Sequence, residues 1–514
     1  MTLLAELAEV SRRVGGTSSR TAKIGELAAA LRALDPSEIE IAVLYLSGEL
    51  PQGKIGIQYS TLQTAAHVET ADRATLSITD LDRRLTELAA LRGVGSARKR
   101  TQEFGELIAL STASERDFIF RLLTGELRQG ALAGVMLEAI AAAANLAPQR
   151  VRRAAMYADS LGALARVAIL EGTEGLARFQ LQLLFPIAPM LAQTATNVAD
   201  AMEQLGGEVE LEWKMDGARI QVHKAEDIVH IYTRSANDVT VAVPEIVEAV
   251  REFSARSLIL DGEAIAIDPA GRPHTFQTTM RRFGRRLDVA AMRNALPIQA
   301  YFFDCLLIDD ESIADRPTRE RIDALARAVP PTMQMSRLVT RSLEEAQAFY
   351  EASLAAGHEG LMAKSLDAPY EAGNRGASWL KIKRAHTLDL VVLAAEWGHG
   401  RRTGKLSNLH LGALDPAAGE YVMLGKTFRG LTDAMLEWQT QEFLAREVHR
   451  DGFTVYVRPE LVVEIAFSDL QVSPRYPGGL ALRLARVKRY RPDKRAEEAD
   501  TMETVRKIAG AARV

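Results

Sequence analysis

The chain has 514 residues, of which 47% are hydrophobic, and this is enough for about three domains with separate cores. Charged residues make up 25% of the chain and the formal net charge is −4, which excludes a disordered or uniformly basic protein. A near-neutral total still allows nucleic acid as a partner, because binding depends on Lys and Arg clustered on one face. The single cysteine, Cys305, excludes an internal disulfide and a cysteine-rich zinc site, so we expect a cytoplasmic protein without zinc. No apolar run approaches the roughly 20 residues that span a bilayer, and no membrane association is expected.

Residues 1–185 predict an all-α domain. They are rich in Ala, Leu, Glu and Arg, and apolar residues recur there at helical spacing. The opening 16 residues predict an amphipathic helix and not a signal peptide, because no basic segment precedes a purely apolar core. Ser37, before two nearby glutamates, fits a helix start. The clearest helical stretches are IGELAAALRAL, LDRRLTELAAL and VMLEAIAAAANL.

Two basic interruptions lie within this helical region, at residues 92–100 and 124–130. Each places glycine next to arginine where helices meet. Exposed backbone N–H groups at helix starts, together with Arg and Lys, suit phosphate groups. A solvated loop with ordinary surface charge is the alternative, and the pattern alone leaves both interpretations open.

Residues 186–385 predict an α+β domain. Residues 185–191 contain two prolines and are typical of a linker. Short apolar or alternating runs then alternate with helical stretches such as PEIVEAVREF and RPTRERIDALARAV. The strand-like runs are LEWKMDGARIQVHK, IVHIYTRS, SLILDGEAIAID and IQAYFFDCLLID, and a further run, LDLVVLAAEW at 388–397, follows just beyond this boundary.

Residues 386–514 predict a small β-barrel domain, because strand-like runs dominate there. These runs are LHLGALD, YVMLGKT, FTVYVRP and LVVEIAFSDLQV. The chain as a whole is therefore expected to be multidomain, with helices first, a mixed domain second and a barrel last.

The segment EWKMDGARIQVH, residues 212–223, places Lys214 between two strand-like runs, with Asp216, Gly217 and Arg219 just beyond it. Glycine permits a tight turn or a close backbone approach, and the arginine fork suits a phosphate or a ribose. A lysine amine attacks only when it is neutral, so its pKa must fall from about 10.4 through burial or nearby positive charge. A charged surface edge is the alternative interpretation of the same residues.

KMDGAR resembles the K-x-D-G-x-R nucleophile motif of the covalent nucleotidyltransferases, which include ATP-dependent DNA ligases, RNA ligases and mRNA capping enzymes. Further segments resemble that family's other motifs in the family's order along the chain. These segments are YTR at 232–234, LDGE at 260–263, FFD at 302–304, EGLMAK at 359–364 and SWLKIK at 378–383. The resemblance implies that Lys214 forms the covalent bond to the nucleotide.

The same resemblance implies roles for residues on these segments. Glu212 would accept a hydrogen bond from the adenine amino group, and Phe303 would stack on the adenine. Glu263 and Glu359 would hold Mg²⁺. The nucleotide-binding residues implied by the match are Glu212, Arg219, Arg234, Glu263, Phe303, Arg375, Lys381 and Lys383.

Lys381 and Lys383 are two residues apart and therefore share one face of a strand. Two ammonium groups on one face repel each other unless an anion lies between them. An α-phosphate is such an anion, and the charge of a transition state there would need both lysines. A solvated face is less consistent with the apolar residues around them.

The segment RVKRYRPDK, residues 486–494, resembles the R-x-D-K motif of the family's C-terminal OB-fold domain. The match implies that Arg491, Asp493 and Lys494 orient the pyrophosphate leaving group. As a bare basic run, the same segment would be a surface or nucleic-acid patch.

The helical front of the chain resembles the DNA-binding domain of archaeal-type and eukaryotic replicative ligases, through LLTGELRQGALAGVMLEAIAAA and the joint LFPIAPMLAQ. The resemblance therefore implies an ATP-dependent DNA ligase with ATP as substrate and Mg²⁺ as cofactor. Its expected partner is nicked duplex DNA, in replication, repair or recombination, with nucleoid association when bound to DNA. Protein partners are unknown. The basic segment 281–286 could contact DNA or be a solvated loop.

Two other functions are weighed against this one. An RNA ligase or an mRNA capping-type enzyme would share the lysine motif, but the helical front favours duplex DNA. A non-catalytic nucleic-acid-binding protein with a decayed core would be expected to lack the lysine or the paired basic residues, and all of these are present.

Overall fold

The computed structural model describes residues 1–127, 129, 133–268, 271–283, 289–384 and 386–511. Parts of two predicted basic segments lie outside the described residues: 128 and 130 in the segment 124–130, and 284–286 in the segment 281–286. So does residue 385 at the predicted boundary of the last domain. In the described part of the chain, no helix is both long enough and apolar enough to cross a membrane.

The region before residue 185 is helical, as predicted. Its helices pack their Leu, Ile and Ala residues into one core that extends from Leu4 to Leu176. Ser and Thr side chains cap several helix starts by accepting hydrogen bonds from backbone N–H groups, as Ser77 does from Asp80. The predicted start at Ser37 is two residues early, since the helix there begins at Ile39. The helices described in this region are α1 (Leu4–Gly15), α2 (Arg20–Ala33), α3 (Ile39–Ser47), α4 (Tyr59–Ala65), α5 (Ile78–Ala90), α6 (Ser96–Ala109), α7 (Ala113–Thr124), α8 (Ala133–Ala144), α9 (Pro148–Ala155) and α10 (Leu161–Leu176).

The middle region alternates strands and helices. Each strand-like run predicted between residues 211 and 309 is confirmed as strand, and the first run forms two strands, because the apolar side chains of these runs pack into buried cores. The elements are β1 (Gln193–Thr194), α11 (Val198–Leu205), β2 (Val209–Lys214), β3 (Ala218–Ala225), β4 (Ile228–Thr233), α12 (Pro244–Arg251), β5 (Ser257–Ala266), α13 (Phe276–Phe283), α14 (Val289–Ala295), β6 (Ile298–Ile308), β7 (Glu311–Ser312), α15 (Thr318–Ala328), β8 (Arg337–Thr340), α16 (Leu343–Ala355), β9 (Gly360–Ser365) and β10 (Trp379–Lys383).

These strands form two five-stranded sheets. The first has the order β1-β10-β9-β2-β8 and the second has the order β4-β3-β5-β6-β7. All pairs are antiparallel except β1 with β10. Strands β2 and β3 are consecutive in the chain but belong to different sheets, so residues 215–217 carry the chain from one sheet to the other.

The last region is rich in strands. Its main sheet has the order β13-β12-β11-β15-β14, and the long strand β11 also pairs with β16, which in turn pairs with β19. Strands β17 and β18 form a separate hairpin. The elements are β11 (His386–Trp397), β12 (Leu406–Asp415), β13 (Glu420–Thr427), α17 (Asp433–Ala445), β14 (Glu447–Asp451), β15 (Thr454–Val457), β16 (Val462–Phe467), β17 (Asp469–Val472), β18 (Leu480–Arg483), β19 (Arg486–Tyr490) and α18 (Met502–Ala511).

The predicted linker packs along the second sheet. The Leu184 N–H donates to His223 Nδ1 at 2.9 Å, and the Tyr232 hydroxyl donates to the Leu184 carbonyl at 2.7 Å. Three residues further on, the Ile187 N–H donates to Gln221 Oε1 at 2.9 Å. The connection between the helical and mixed regions is therefore held by side chains of β3 and β4.

His223 is the buried centre of this contact. Its Nδ1 accepts from Leu184, and its Nε2 donates to Gln221 at 2.9 Å, which requires the neutral ring. Burial, helped by the nearby His230, lowers the pKa of His223 to about 3. In the unfolded chain the same ring has its ordinary pKa of 6.5. Below pH 6.5 and down to about pH 3, only the unfolded chain binds the proton, so acid favours unfolding.

We predict that His223→Asn reduces the loss of stability on acidification. The single ring can account for up to about 1.4 kcal/mol per pH unit below pH 6.5 in the wild type. The asparagine oxygen can still accept from Leu184, but the side chain does not titrate. Thermal unfolding at pH 7.5 and pH 5 should show a smaller downward shift for the variant, and exposed His67→Asn should behave as wild type. Equal shifts in all three proteins would contradict the prediction.

Candidate active site

A cavity of about 860 Å³ opens between the two sheets of the middle region. Residues from both sheets line it, together with Phe276 and Met280 of α13 and Arg483 of β18. Ten of the residues predicted from the sequence share this cavity. They are Glu212, Lys214, Arg219, Arg234, Glu263, Phe303, Glu359, Arg375, Lys381 and Lys383.

Lys214 is the last residue of β2, at the point where the chain crosses between the sheets. The crossing requires Gly217, because a Cβ atom there would lie 2.5 Å from the Ala264 carbonyl oxygen and 2.9 Å from Glu263 Cγ. This close approach brings the end of β2 against β5. Lys214 and Glu263 therefore line the same cavity although they lie in different sheets.

The Lys214 ammonium group is held by a carboxylate. Its Nζ lies 2.7 Å from Glu359 Oε2, and the same oxygen lies 2.6 Å from Lys383 Nζ. Burial alone would lower the pKa of Lys214, but the carboxylates of Glu359, Glu263 and Asp216 outweigh it and leave the pKa raised. The lowered pKa that attack requires is therefore not produced by the residues around the lysine, because the acids there outweigh the effect of its burial.

The two carboxylates beside Lys214 differ in their charge state. Burial raises the pKa of Glu263 to about 7 against the opposing effect of Lys214 and Arg219. Burial also opposes ionisation of Glu359, but Lys214 and Lys383 overcome it and lower the pKa of that carboxyl to about 2. Glu359 is thus a firmly ionised group between two lysines.

Lys381 and Lys383 both point into the cavity from β10. Burial lowers the pKa of each, and neighbouring cations add to the effect, chiefly Arg375 for Lys381 and Lys214 for Lys383. Mutual repulsion of this kind disappears when an anion binds among the cations. The predicted sharing of one strand face therefore produces a site suited to phosphate.

Arg219 and Phe303 form the other wall of the cavity. The Arg219 fork donates to both oxygens of Asp261, at 3.0 and 2.6 Å, and Nη1 donates to the Met190 carbonyl at 2.5 Å. Its guanidinium lies 5.4 Å from the centre of the Phe303 ring. Asp261, to which the sequence analysis assigned no role, is thus the residue that fixes Arg219.

Glu212 is buried and both of its oxygens are paired. Oε1 lies 2.7 Å from Arg337 Nη2, and Oε2 lies 2.5 Å from Lys364 Nζ. A second buried acid, Glu210, lies beside it and also contacts Arg337. Sequence reasoning missed Glu210 and Arg337. The spacing of Glu210 and Glu212 in an apolar strand was a usable signal, whereas nothing marked Arg337.

The three residues of the C-terminal motif do not line the cavity. Arg491 and Lys494 both bind Asp389 Oδ2, at 2.8 and 2.6 Å, and Arg491 also pairs with Asp493 at 2.6 Å. The residue of this region that does reach the cavity is Arg483, whose Nη1 lies 3.3 Å from Asp216 Oδ2. No feature of the sequence singled out Arg483.

The chemistry available in the cavity is nucleotidyl transfer. A lysine amine can attack phosphorus, the surrounding cations can neutralise phosphate charge, and the two carboxylates can hold a divalent ion.

Comparison with known proteins agrees with this chemistry. The family model "ATP dependent DNA ligase domain" matches residues 189–383, "ATP dependent DNA ligase C terminal region" matches 402–494, and "DNA ligase N terminus" matches 64–141. The chain therefore belongs to the ATP-dependent DNA ligases, a family characterised by a lysine–AMP intermediate. The family relation predicted from the motifs is confirmed.

Curated relatives match along nearly the whole chain. A probable DNA ligase of Anaeromyxobacter sp. (strain Fw109-5) is 56% identical over 507 residues, covering 98% of each chain. A probable DNA ligase of Rhodococcus jostii (strain RHA1) is 51% identical over 506 residues, covering 98% of this chain and 99% of its own. The solved structure "Pmar-Lig_Pre." is 17% identical with a TM-score of 0.65, covering 95% of this chain and 99% of its own, and so shares the fold.

We predict that Asp261→Ala destabilises the protein by about 3–5 kcal/mol, because it leaves the Arg219 guanidinium without its buried counter-charge. The matched control is Asp367→Ala, which removes the partner of exposed Arg319, with an ion-pair distance of 2.6 Å and an Asp367 side chain 81% exposed. That exposed pair contributes about 1 kcal/mol or less. Denaturant unfolding measures both losses, and equal losses would contradict the prediction.

Proposed function

We propose that this ligase seals nicks in duplex DNA with Lys214 as the residue that carries AMP. The observation that carries the proposal is the position of Lys214 at the end of β2, in one cavity with two carboxylates and the lysine pair 381 and 383. The resemblance of its motif assigns the covalent bond to the same lysine.

Three displacements make up the reaction. The neutral Lys214 Nζ attacks the α-phosphorus of ATP, the bond to the bridging oxygen breaks, and pyrophosphate leaves. The 5′-phosphate at the nick then attacks the AMP phosphorus and frees the lysine. Finally the 3′-hydroxyl attacks the activated 5′-phosphate, the phosphodiester forms, and AMP departs. The first and third displacements release an oxygen leaving group and the second releases the Lys214 nitrogen, which takes up a proton; in all three the negative oxygens around phosphorus need cations to stabilise them.

Residues that line the cavity are proposed to contact different parts of the nucleotide. Glu212 accepts from the adenine amino group, Phe303 stacks on the base, and Lys381 and Lys383 bind the α-phosphate. Before Lys214 attacks, its ammonium must lose a proton and leave Glu359. The remaining residues proposed to bind the nucleotide are Arg219, Arg234, Glu263 and Arg375.

Mg²⁺ fits the donors of this cavity. Mg²⁺ in nucleotide sites usually takes one or two carboxylates and completes its coordination with water and substrate phosphates. Glu263 and Glu359 supply two carboxylates beside Lys214, and both of them raise the pKa of that lysine. When bound there, Mg²⁺ would supply positive charge to the phosphates and weaken the effect by which the carboxylates raise the pKa of Lys214.

The three regions are proposed to act as domains, with bounds 1–185, 186–385 and 386–514. Separate apolar cores support this division, one in the helices and another in the last strands. We propose that the last region is an OB-fold domain and that it and the helical domain hold the duplex through phosphate contacts without reading sequence. The cytoplasm, on the nucleoid when bound to DNA, is the compartment that this substrate requires.

We predict that the wild-type protein gains the mass of one AMP when incubated with ATP and Mg²⁺, and that Lys214→Ala gains none. Intact-mass spectrometry measures the adduct. The same incubation with GTP is the test for a capping-type enzyme, which would gain GMP instead. Sealing of nicked DNA but not nicked RNA then identifies the substrate, whereas no adduct with any nucleotide would sink the proposal.

We predict that Arg491→Ala slows the first displacement by about 100-fold or more, because it removes a cation proposed to orient the departing pyrophosphate. Sealing of a nick that already carries 5′-AMP needs no pyrophosphate release and should stay within about threefold of wild type. Arg495→Ala, four residues away and 81% exposed, is the matched control. An equal loss in both assays would contradict the assigned role.

A further inference from the structure

Four charged side chains form a cluster at the wall of the cavity, and two of them, Glu212 and Lys364, line it. Glu210 and Glu212 lie two residues apart on β2, and both are almost completely buried, at 0% and 2% exposure. The strands on either side of β2 supply the cations. Lys364 of β9 is the cross-strand neighbour of Glu210, and Arg337 of β8 is the neighbour of Glu212.

We name Arg337 and Lys364 the cation clamp. Arg337 Nη2 lies 2.7 Å from Oε1 of Glu212 and Lys364 Nζ lies 2.5 Å from Oε2, so each carboxylate oxygen has a cationic partner. Each clamp residue also donates to the Phe303 carbonyl, at 3.2 Å from Arg337 and 3.4 Å from Lys364. The clamp therefore joins the two residues proposed to contact the adenine, although they lie in different sheets.

The clamp also fixes the charge of Glu212. Burial raises the pKa of both acids, and repulsion from Glu212 adds to the effect at Glu210, whose pKa rises to about 8. At Glu212 the attraction of Lys364 and Arg337 outweighs burial, and the pKa of that carboxyl is lowered. Of the two acids, the one that lines the cavity is the one whose pKa is lowered, and both of its oxygens have a cationic partner.

An ionised carboxylate can only accept hydrogen bonds, and its two oxygens offer about four acceptor positions. The clamp occupies some of these and leaves others for a ligand. A 6-amino purine presents an N–H donor to such a group. A 6-oxo purine presents another acceptor, and two facing acceptors repel each other.

We propose that the cation clamp sets the nucleotide specificity of this ligase, by holding Glu212 as a fixed acceptor that takes a 6-amino purine nucleotide and rejects a 6-oxo one. Arg337 does not line the cavity and acts through Glu212, so it is a positioning residue. The inference rests on the proposed placement of the base against Glu212.

The wild-type protein provides the first test. Rates of nucleotide attachment to Lys214 are measured with ATP, with purine riboside triphosphate, which has hydrogen at position 6, and with inosine triphosphate. An ionised acceptor predicts that the rates fall in that order, because inosine adds repulsion where the unsubstituted purine only lacks a bond. Inosine triphosphate reacting as well as the unsubstituted nucleotide would overturn the proposal.

Variants of the clamp provide the second test. Arg337→Gln and Lys364→Met remove a charge while keeping similar volume, and we expect each to lower the ATP to inosine triphosphate rate ratio by about tenfold or more. Glu212→Gln, whose amide can donate as well as accept, sets the value that they should approach. Arg337→Lys and Lys364→Arg keep the charge and should retain a larger ratio than their charge-removing counterparts.

The outcomes separate this inference from the proposed function. Charge-removing variants that lose rate equally with both nucleotides would show a merely structural clamp and overturn the inference. If those variants fail to fold, the wild-type order of the three nucleotides still decides. A wild-type protein that forms no adduct with ATP would instead overturn the proposed function itself.

Discussion

The close approach of Gly217 to β5 is the constraint on which the site depends. A Cβ atom at this position would lie 2.5 Å from the Ala264 carbonyl oxygen, so the approach is open only to glycine. That contact allows β2 and β3 to follow each other in the chain and yet belong to different sheets. Lys214 and Arg219 consequently line one cavity from separate sheets, and Glu263 of β5 and Glu359, the residue before β9, meet the lysine there.

Buried charges in this molecule occur in matched groups. Glu359 lies between two lysines, Asp261 faces the Arg219 fork, and the cation clamp balances two acids on β2. Burying an unpaired charge is costly, so each group restricts where its members can move. The raised pKa of Lys214 is a consequence of the same pairing, and it means that the chemistry must begin by separating that lysine from Glu359.

The sequence predicted much of the fold and of the site, for identifiable reasons. An alternating run predicts β3, because a strand shows opposite faces at every second residue, and short continuous apolar runs predict β5 and β6. Motifs predicted ten residues of one cavity because their chemistry requires those residue types in that order. Arg337 and Arg483 escaped prediction, since a lone arginine in a short strand carries no pattern that distinguishes it from surface charge.

The sequence by itself determined the regions, the family and the chemical identity of the groups around Lys214. Only the tertiary structure decided which strands share a sheet, because the pairing of distant strands is set by packing and not by local pattern. It also decided the pairing of the charges: Lys214 is surrounded by acids, and Glu212 has a cation at each of its oxygens. It placed Arg491 and Lys494 on Asp389, outside the cavity. A pKa and an ion pair depend on distances in space, which separation along the chain does not specify.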